Sequence, residues 1–189
     1  MEKKSKYFIA ILPSQEVSDR VQEIKHVFRD KYNCTVASRS PAHITLQPPF
    51  SIFESEEKNY IDKLYRFSAT RDGFEIDLKN FAAFAPRTVY IDVVPNNALF
   101  RLQKELIQFL QREGLIAANQ MEERPFKAHV TVANRDLKPK DFKSAWQIYR
   151  SEPFEATFEV ASISLLKHNG AKWDIHESFT FLNHTDLQQ

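Results

Sequence analysis

Cysteine is almost absent from this chain of 189 residues, since Cys34 is the only one. A single cysteine excludes an intramolecular disulfide, so no covalent cross-link within the chain contributes to its stability. This usage fits a reducing compartment, and we expect a cytoplasmic protein.

Long apolar runs are also missing. The run near the start, Tyr7 to Leu12, has six residues and stops at Pro13. A secretory signal needs an apolar region of about 7–15 residues, and a membrane helix needs about 20. We therefore interpret this run as a first β-strand and expect no membrane partner.

An excess of charge of one sign is missing as well, because the formal net charge is +1. This near-neutrality argues against a broad, non-specific grip on nucleic acid, whereas a local basic patch is enough to hold a small anion or an RNA end. Apolar residues make up 42% of the chain and charged residues 27%, which is typical of a globular protein with a core.

The order of the predicted elements runs through the chain twice. Strands are predicted from β-formers and alternation, and helices from apolar stripes that follow a capping residue, such as Ser14 or either Asn96 or Asn97. The first pass consists of a strand, a helix, short strands at residues 34–38 and 43–47, a helix and a strand. We expect Pro48 and Pro49 to end the strand at 43–47. The second pass adds a closing hairpin around Asn169 and Gly170.

The spacing between equivalent positions indicates an internal duplication. Tyr7 and Val89 are 82 residues apart, His43 and His129 are 86 apart, and Phe74 and Phe154 are 80 apart. We predict one α+β domain over residues 1–189 with two lobes, about 1–85 and 86–189, related by a pseudo-twofold axis. Each lobe is a β-α-β-α-β unit, antiparallel sheets line a central cleft, and the arrangement leaves room for strand exchange between the lobes. We expect a monomer.

The most informative motif is a histidine followed two residues later by a threonine, which occurs at His43 and Thr45 and again at His129 and Thr131. Residues i and i+2 of a strand share one face. If the lobes pack about their axis, two imidazoles and two hydroxyls converge on one small volume.

Such a group of side chains suits attack on a phosphodiester. A neutral imidazole takes a proton from the attacking hydroxyl while a protonated one gives a proton to the leaving oxygen, and both forms exist near neutral pH. The threonine hydroxyls can donate hydrogen bonds to the phosphate oxygens. This chemistry needs no metal or cofactor, and we predict none.

Two alternatives compete with this interpretation. A single histidine on a strand is usually a surface or satisfied core residue, and threonine is a common strand former; the repetition of the motif is what favours chemistry. A zinc site is a weaker hypothesis, because two histidines without nearby cysteine or paired carboxylates leave the metal short of ligands.

The segments AHITLQPPF and KAHVTVANR resemble the two motifs of the 2H phosphoesterase superfamily, and in particular those of the bacterial 2′-5′ RNA ligase-like proteins. The resemblance extends over about residues 5–183 and includes FAAFAPRTVYIDV and the closing hairpin. It implies a bilobal fold and metal-independent phosphodiester chemistry on RNA-type substrates. It also implies that His129 is the general base, His43 the acid, and Thr45 and Thr131 the residues that hold the phosphate.

The chain departs from the family pattern after its first motif. It has QPPF where many members have a Phe-Leu-Gly type turn, and it contains only three glycines. The departure affects the rim of the cleft, where substrate would be contacted.

Five further residues are candidates for substrate binding. Phe50 either stacks on a base at the rim or packs in the core, and Arg87 either meets a phosphate or pairs at the surface. Phe84 lies in the segment between the lobes, and Lys127 and Arg135 flank the second motif as sources of positive potential. The other four histidines lack a repeat partner, and we interpret them as structural or surface residues: His26, His168, His176 and His184.

Three functions remain open from the sequence. The first is a phosphodiesterase acting on a 2′,3′-cyclic phosphate RNA end or on a small cyclic or 2′-5′ nucleotide. The second is an ATP-independent 2′-5′ RNA ligase, which runs the same bond chemistry backwards. The third is a non-catalytic module that binds an RNA end or phosphate, although binding alone would not require imidazole twice.

Overall fold

A computed structural model describes residues 2–117 and 124–182 of the protein. In order along the chain, the described elements are β1 (Lys4–Ile11), α1 (Gln15–Tyr32), β2 (Ile44–Phe53), α2 (Glu57–Ser68), β3 (Phe74–Phe84), β4 (Thr88–Val93), α3 (Asn97–Arg112), β5 (His129–Ala133), α4 (Pro139–Tyr149), β6 (Glu155–Val160), β7 (Ser162–His168) and β8 (Trp173–Thr180). Within these residues, no helix combines the length and apolarity needed to span a membrane.

The eight described strands form one sheet in the order β6-β3-β4-β5-β2-β1-β7-β8, and each neighbouring pair is antiparallel. β2 and β5 meet in the middle through a single registered pair, Ile44 with Val130. The sheet is therefore two four-stranded halves joined at the two motif strands, and the predicted α+β fold class is confirmed.

The halves of the sheet do not coincide with the halves of the chain. β3 precedes residue 85 but pairs with β4 and β6, whereas the closing hairpin of β7 and β8 pairs with β1. Each half-sheet thus contains strands from both sides of the predicted boundary between residues 85 and 86.

The main core lies between the helices and one face of the sheet. Alternation along β1 sends Tyr7, Ile9 and Ile11 into this core, while Phe8 and Ala10 belong to a smaller cluster on the other face. The side chains of Ser14 and Asn96 cap α1 and α3, as predicted. Each accepts a hydrogen bond from the backbone amide three residues later, that of Val17 or Leu99.

Two local predictions are wrong. Residues 34–38 do not form a strand, because Val36–Arg39 is a 3₁₀ helix whose first amide groups donate to the carboxylate of Asp136. β2 does not end at Pro48 but continues to Phe53. The register with β1 shifts where the two prolines lie, so this irregularity accommodates residues that cannot donate to the ladder.

Candidate active site

The two motif strands bring the four predicted side chains to one face of the sheet. Ile44 and Val130 are fully buried on the core side. Antiparallel register about this pair places His43 beside Thr131 and Thr45 beside His129. All four side chains are half-buried and line one cleft with a volume of about 1050 Å³.

A hydrogen bond to the backbone fixes the ring of His43. Its Nδ1 lies 2.8 Å from the carbonyl oxygen of Pro41, and because a carbonyl only accepts, Nδ1 carries the hydrogen. The Nε2 atom is then left as the nitrogen for acid–base chemistry. The ring of Phe8 packs beside the imidazole, with ring centroids 4.9 Å apart.

The second motif repeats this arrangement. Nδ1 of His129 lies 2.6 Å from the carbonyl oxygen of Lys127, again two residues upstream. The rings of Phe84 and Tyr90 pack on this imidazole at centroid distances of 5.3 and 5.0 Å. When neutral, both imidazoles therefore carry their hydrogen on Nδ1 and leave Nε2 unprotonated. Each ring also has an aromatic neighbour that limits the access of water to it.

Burial is the main cause of a lowered pKa at both histidines. It lowers the pKa of His43 to about 4, with the charge of Lys25 adding to the effect and the hydrogen bond to Pro41 opposing it. Burial also lowers the pKa of His129 below its ordinary value, while the hydrogen bond to Lys127 opposes the shift. In the free protein at neutral pH, both rings are therefore mainly neutral.

The cleft is cationic although the chain is almost neutral. Its lining includes five basic side chains and, among the residues that the structure describes, no carboxylate. The five are Lys6, Lys104, Arg124, Lys127 and Arg135. A surface of this kind favours an anionic ligand, and its apolar residues and aromatic rings strengthen the local field.

A model of the 2′-5′ RNA ligase superfamily matches residues 13–172 of the chain. The chain belongs to this superfamily. The match confirms the resemblance of the chain to the 2H phosphoesterase superfamily.

The similarity to known sequence relatives extends over nearly the whole chain. A Geobacillus kaustophilus protein named "Putative phosphoesterase" is 29% identical over 178 residues, which cover 92% of this chain and 95% of that protein. An Oceanobacillus iheyensis protein with the same name is 27% identical over 177 residues, covering 92% and 96%. With the family match, these relatives support an enzyme of the phosphoesterase type.

Solved structures show the same fold. E. coli LigT in its apo form has a TM-score of 0.68 at 18% identity, with 96% of this chain and 99% of that chain covered. The protein TT0787 of Thermus thermophilus has a TM-score of 0.65 at 19% identity, covering 95% and 99%.

Three of the five predicted substrate-binding residues of the chain line the cleft. Phe84 is exposed beside His129, Lys127 forms an ion pair with Asp92 at 2.6 Å, and Arg135 has a left-handed backbone with φ of 49°. Arg87 is exposed near the turn between β3 and β4, but it does not line the cleft.

Phe50 is in the core, which corrects its prediction as a base-stacking residue. Its side chain is only 3% exposed and packs against the rings of Tyr60 and Tyr7 at centroid distances of 5.5 and 6.3 Å. β2 continues past the two prolines, and Phe50 lies on the same face of the strand as Ile44 and Leu46, so its ring enters the core.

The remaining histidines lie away from the motif pair where they are described. His26 is exposed on α1, His168 packs against the ring of Trp173, and His176 pairs with Glu57 at 3.2 Å. His184 is outside the described residues. Over residues 2–117 and 124–182, no three His, Cys, Asp or Glu side chains are grouped so as to hold a metal ion.

Sequence reasoning missed two charged residues beside the motif histidines. Lys25 is 1% exposed and donates hydrogen bonds to the carbonyl oxygens of Ser40 and Pro41 at 3.0 and 3.3 Å. Asp92 on β4 is registered opposite His129. Lys25 was detectable, because it falls on the apolar stripe of α1 four residues after Val21.

Proposed function

We propose that this protein is a phosphodiesterase that hydrolyses 2′,3′-cyclic phosphate RNA ends, or small cyclic or 2′-5′ nucleotides, with two histidines as its acid–base pair. One observation carries the proposal. Two His-x-Thr motifs lie on adjacent antiparallel strands, and the same backbone hydrogen bond orients each histidine.

The reaction divides the work between the two imidazoles. One Nε2 takes a proton from water as the water oxygen attacks phosphorus. The bond from phosphorus to the 3′ oxygen of the ribose breaks, and the other Nε2 gives its proton to that oxygen, which yields a 2′-phosphate. Each proton transfer contributes on the order of 10²–10⁴ in rate.

The rest of the cleft supports an anionic substrate. The hydroxyls of Thr45 and Thr131, which line the cleft, have the role of donating hydrogen bonds to the non-bridging oxygens, where negative charge increases during attack. The five basic residues attract the phosphodiester, and its negative charge favours the protonated form of the histidine that acts as acid. E. coli LigT, which shares the fold, has been crystallised with 3′-AMP.

The test is hydrolysis of the four nucleoside 2′,3′-cyclic monophosphates in the presence of EDTA, with the product position determined by phosphorus NMR. We expect a 2′-phosphate product and a loss of about 10²–10⁴ in kcat for His43→Ala and for His129→Ala. His26→Ala, which changes an exposed histidine outside the cleft, is the matched control. Wild-type turnover that survives in either motif variant would contradict the two-imidazole mechanism.

A 2′-5′ RNA ligase is the second candidate, favoured by the size of the cleft. Its volume of about 1050 Å³ is at the upper end of the range for small-molecule sites, about 300–1,000 Å³, so it has room for more than one nucleotide. Incubation with tRNA halves that bear a cyclic phosphate distinguishes the two. Joined product without ATP favours the ligase, whereas binding without joining or hydrolysis favours a non-catalytic module.

A further inference from the structure

The face of the sheet that carries the motif side chains, here called the open face, changes in charge from one end to the other. At the end formed by β3 and β6, its charged side chains are four carboxylates and one lysine, all of them exposed. They are Glu75, Asp77, Glu155, Glu159 and Lys79. This end therefore repels a polyanion such as RNA.

The opposite end of the open face carries positive charge instead. Alternation along β1 places Lys4 and Lys6 on this face together with Phe8. His168 on β7 and Trp173 on β8 are registered opposite each other, so their side chains share the same face. Among the described residues of β1, β7 and β8, no carboxylate lies on the open face. An RNA chain that leaves the motif pair is therefore attracted toward this end.

Aromatic rings lie among these basic side chains. The ring of Trp173 packs between those of Phe8 and His168, at centroid distances of 4.8 and 4.9 Å. Nζ of Lys4 lies 4.2 Å from the ring centroid of Phe53, whose side chain is 38% exposed. Sites for single-stranded nucleic acid combine positive charge along the backbone path with rings on which bases stack. This end of the sheet has both features.

A second cavity connects these side chains to the cleft. β1 is registered with β7 only over residues 7–10, and a cavity of about 560 Å³ lies between residues 4–6 and the turn of the closing hairpin. Lys6 lines both this cavity and the cleft. Two carboxylates also line the second cavity, Glu54 and Asp174, but each already pairs with a nearby lysine. An anionic chain can thus pass from one cavity to the other along Lys6.

The basic groups of the open face have hydrogen atoms available for a ligand. In the part of the chain that the structure describes, the ion pairs of this region engage Lys3 and Lys167, and neither Lys4 nor Lys6 takes part in one. The amide of Gly170 donates to Nδ1 of His168 at 3.2 Å, so the neutral ring carries its hydrogen on Nε2. Two ammonium groups and one imidazole can therefore donate to phosphate oxygens.

We propose that the open face of β1, β7 and β8 binds the single-stranded RNA that extends beyond the cleft. The surface consists of Lys4, Lys6, His168, Trp173 and Ile175, and we call it the RNA platform. The two lysines contact phosphates, while bases lie on Trp173 and on Ile175, which is 52% exposed and lines the second cavity. The inference rests on the proposed function and narrows its substrate to the end of an RNA chain.

Binding of an RNA that the protein cannot turn over tests the platform. The probe is a labelled octanucleotide of 2′-O-methyl RNA with a 3′-phosphate, which cannot form a cyclic phosphate, and fluorescence anisotropy measures its affinity. We expect Ile175→Glu to weaken binding about fivefold to tenfold, because its carboxylate repels phosphate at close range. Lys4→Met should reduce the slope of log affinity against log salt by about 0.7.

The same two variants should keep the wild-type kcat/KM on a nucleoside 2′,3′-cyclic phosphate, because neither residue lines the cleft. Ile148→Glu and Lys140→Met are the matched controls, since both positions are exposed on α4 and line neither cavity. Ile148 is 53% exposed, which matches Ile175. Both controls should bind the octanucleotide as the wild-type protein does.

The other outcomes separate the platform from the proposed function. Wild-type binding by Ile175→Glu and Lys4→Met, or equal losses in their controls, would overturn the platform even if cyclic phosphates are hydrolysed. Equally tight binding of a blunt duplex would overturn its role for single strands. If the wild-type protein hydrolyses no cyclic phosphate but the octanucleotide still depends on Ile175 and Lys4, the proposed function fails and the platform stands as an RNA-binding surface.

Discussion

Lys25 carries a buried charge whose cost depends on pH. Burial lowers the pKa of its ammonium group from 10.5 to about 8. Below pH 8 the folded and unfolded chains both hold the proton, and the desolvation cost is present in full. Between pH 8 and 10.5 the unfolded chain binds more protons, so this group makes the free energy of unfolding rise with pH.

We therefore predict a pH-dependent effect of Lys25→Met on stability. Methionine does not titrate, so the free energy of unfolding of the variant, relative to wild type, should fall by about 2–3 kcal/mol between roughly pH 7 and pH 10. Urea unfolding of both proteins at the two pH values measures this difference, with Lys140→Met as the exposed control. A difference that stays constant with pH would show that the ammonium group titrates normally.

At the scale of elements, Asp136 connects the loop after β5 to the 3₁₀ helix that precedes the first motif. Its carboxylate accepts hydrogen bonds from the amides of Thr35 and Val36 at 2.7 and 3.1 Å and from the thiol of Cys34 at 3.2 Å. Partial burial alone would raise the pKa of Asp136, but these hydrogen bonds outweigh it and hold the pKa below its ordinary value. The carboxylate thus links the end of one motif strand, β5, to the segment that leads into the other, β2.

We predict that Asp136→Asn lowers the free energy of unfolding by about 1–3 kcal/mol at neutral pH, because charge-assisted hydrogen bonds are lost while the shape is kept. The folded-state pKa is lowered, so the stabilisation is present above the ordinary carboxyl pKa and is lost as the pH falls through the folded value. The effect of the variant should therefore shrink in acid. Urea unfolding near neutral pH and in acid, below the ordinary carboxyl pKa, measures it.

Asp62→Asn is the matched control, since Asp62 is exposed on α2. An equal loss of stability in both variants would mean that the hydrogen bonds of Asp136 contribute nothing specific.

The helices and strands differ in how far the sequence alone predicts them. Helices α1 and α3 were predictable because a capping residue precedes an apolar stripe, and both signals are local. The 3₁₀ helix was mistaken for a strand because its partner, Asp136, is about a hundred residues away. Phe50 was misplaced for a similar reason, since β2 was expected to end at its prolines and only the pairing with β1 shows that the strand continues to Phe53.

In the candidate site, too, some residues were predictable from the sequence and others depend on long-range pairing. The motif histidines and threonines were predictable because the duplication repeats them at similar spacing. Asp92 was not, because its position opposite His129 follows from the register of β4 and β5. Register depends on long-range pairing, which a single sequence does not reveal.

At the scale of the whole molecule, charge is separated although the total is small. The net charge is +1, yet the described lining of the cleft contains five basic side chains and no carboxylate. Among the described residues, Asp92 pairs with one of the five, Lys127, and other carboxylates lie outside the lining, as in the cluster of Glu57 with Lys167 and His176. Binding of an RNA end should therefore depend on the local field of the cleft, not on the net charge.

This separation predicts how affinity depends on salt and on substrate length. Lys104 lines the cleft from α3 and not from a motif strand, so we expect it to contact the second or third phosphate of an oligonucleotide. For a short RNA that ends in a cyclic phosphate, Lys104→Met should reduce the slope of log affinity against log salt by about 0.7. For a nucleoside cyclic phosphate, the same variant should leave the slope unchanged.

Fluorescence anisotropy of a labelled trinucleotide, with competition by the mononucleotide, measures both slopes, and Lys140→Met controls for loss of an exposed charge outside the cleft. A smaller slope in Lys104→Met for both ligands would mean that Lys104 acts as a general source of field. An unchanged slope for both would mean that the RNA chain beyond the cyclic phosphate does not pass Lys104, so that the α3 side of the cleft takes no part in binding.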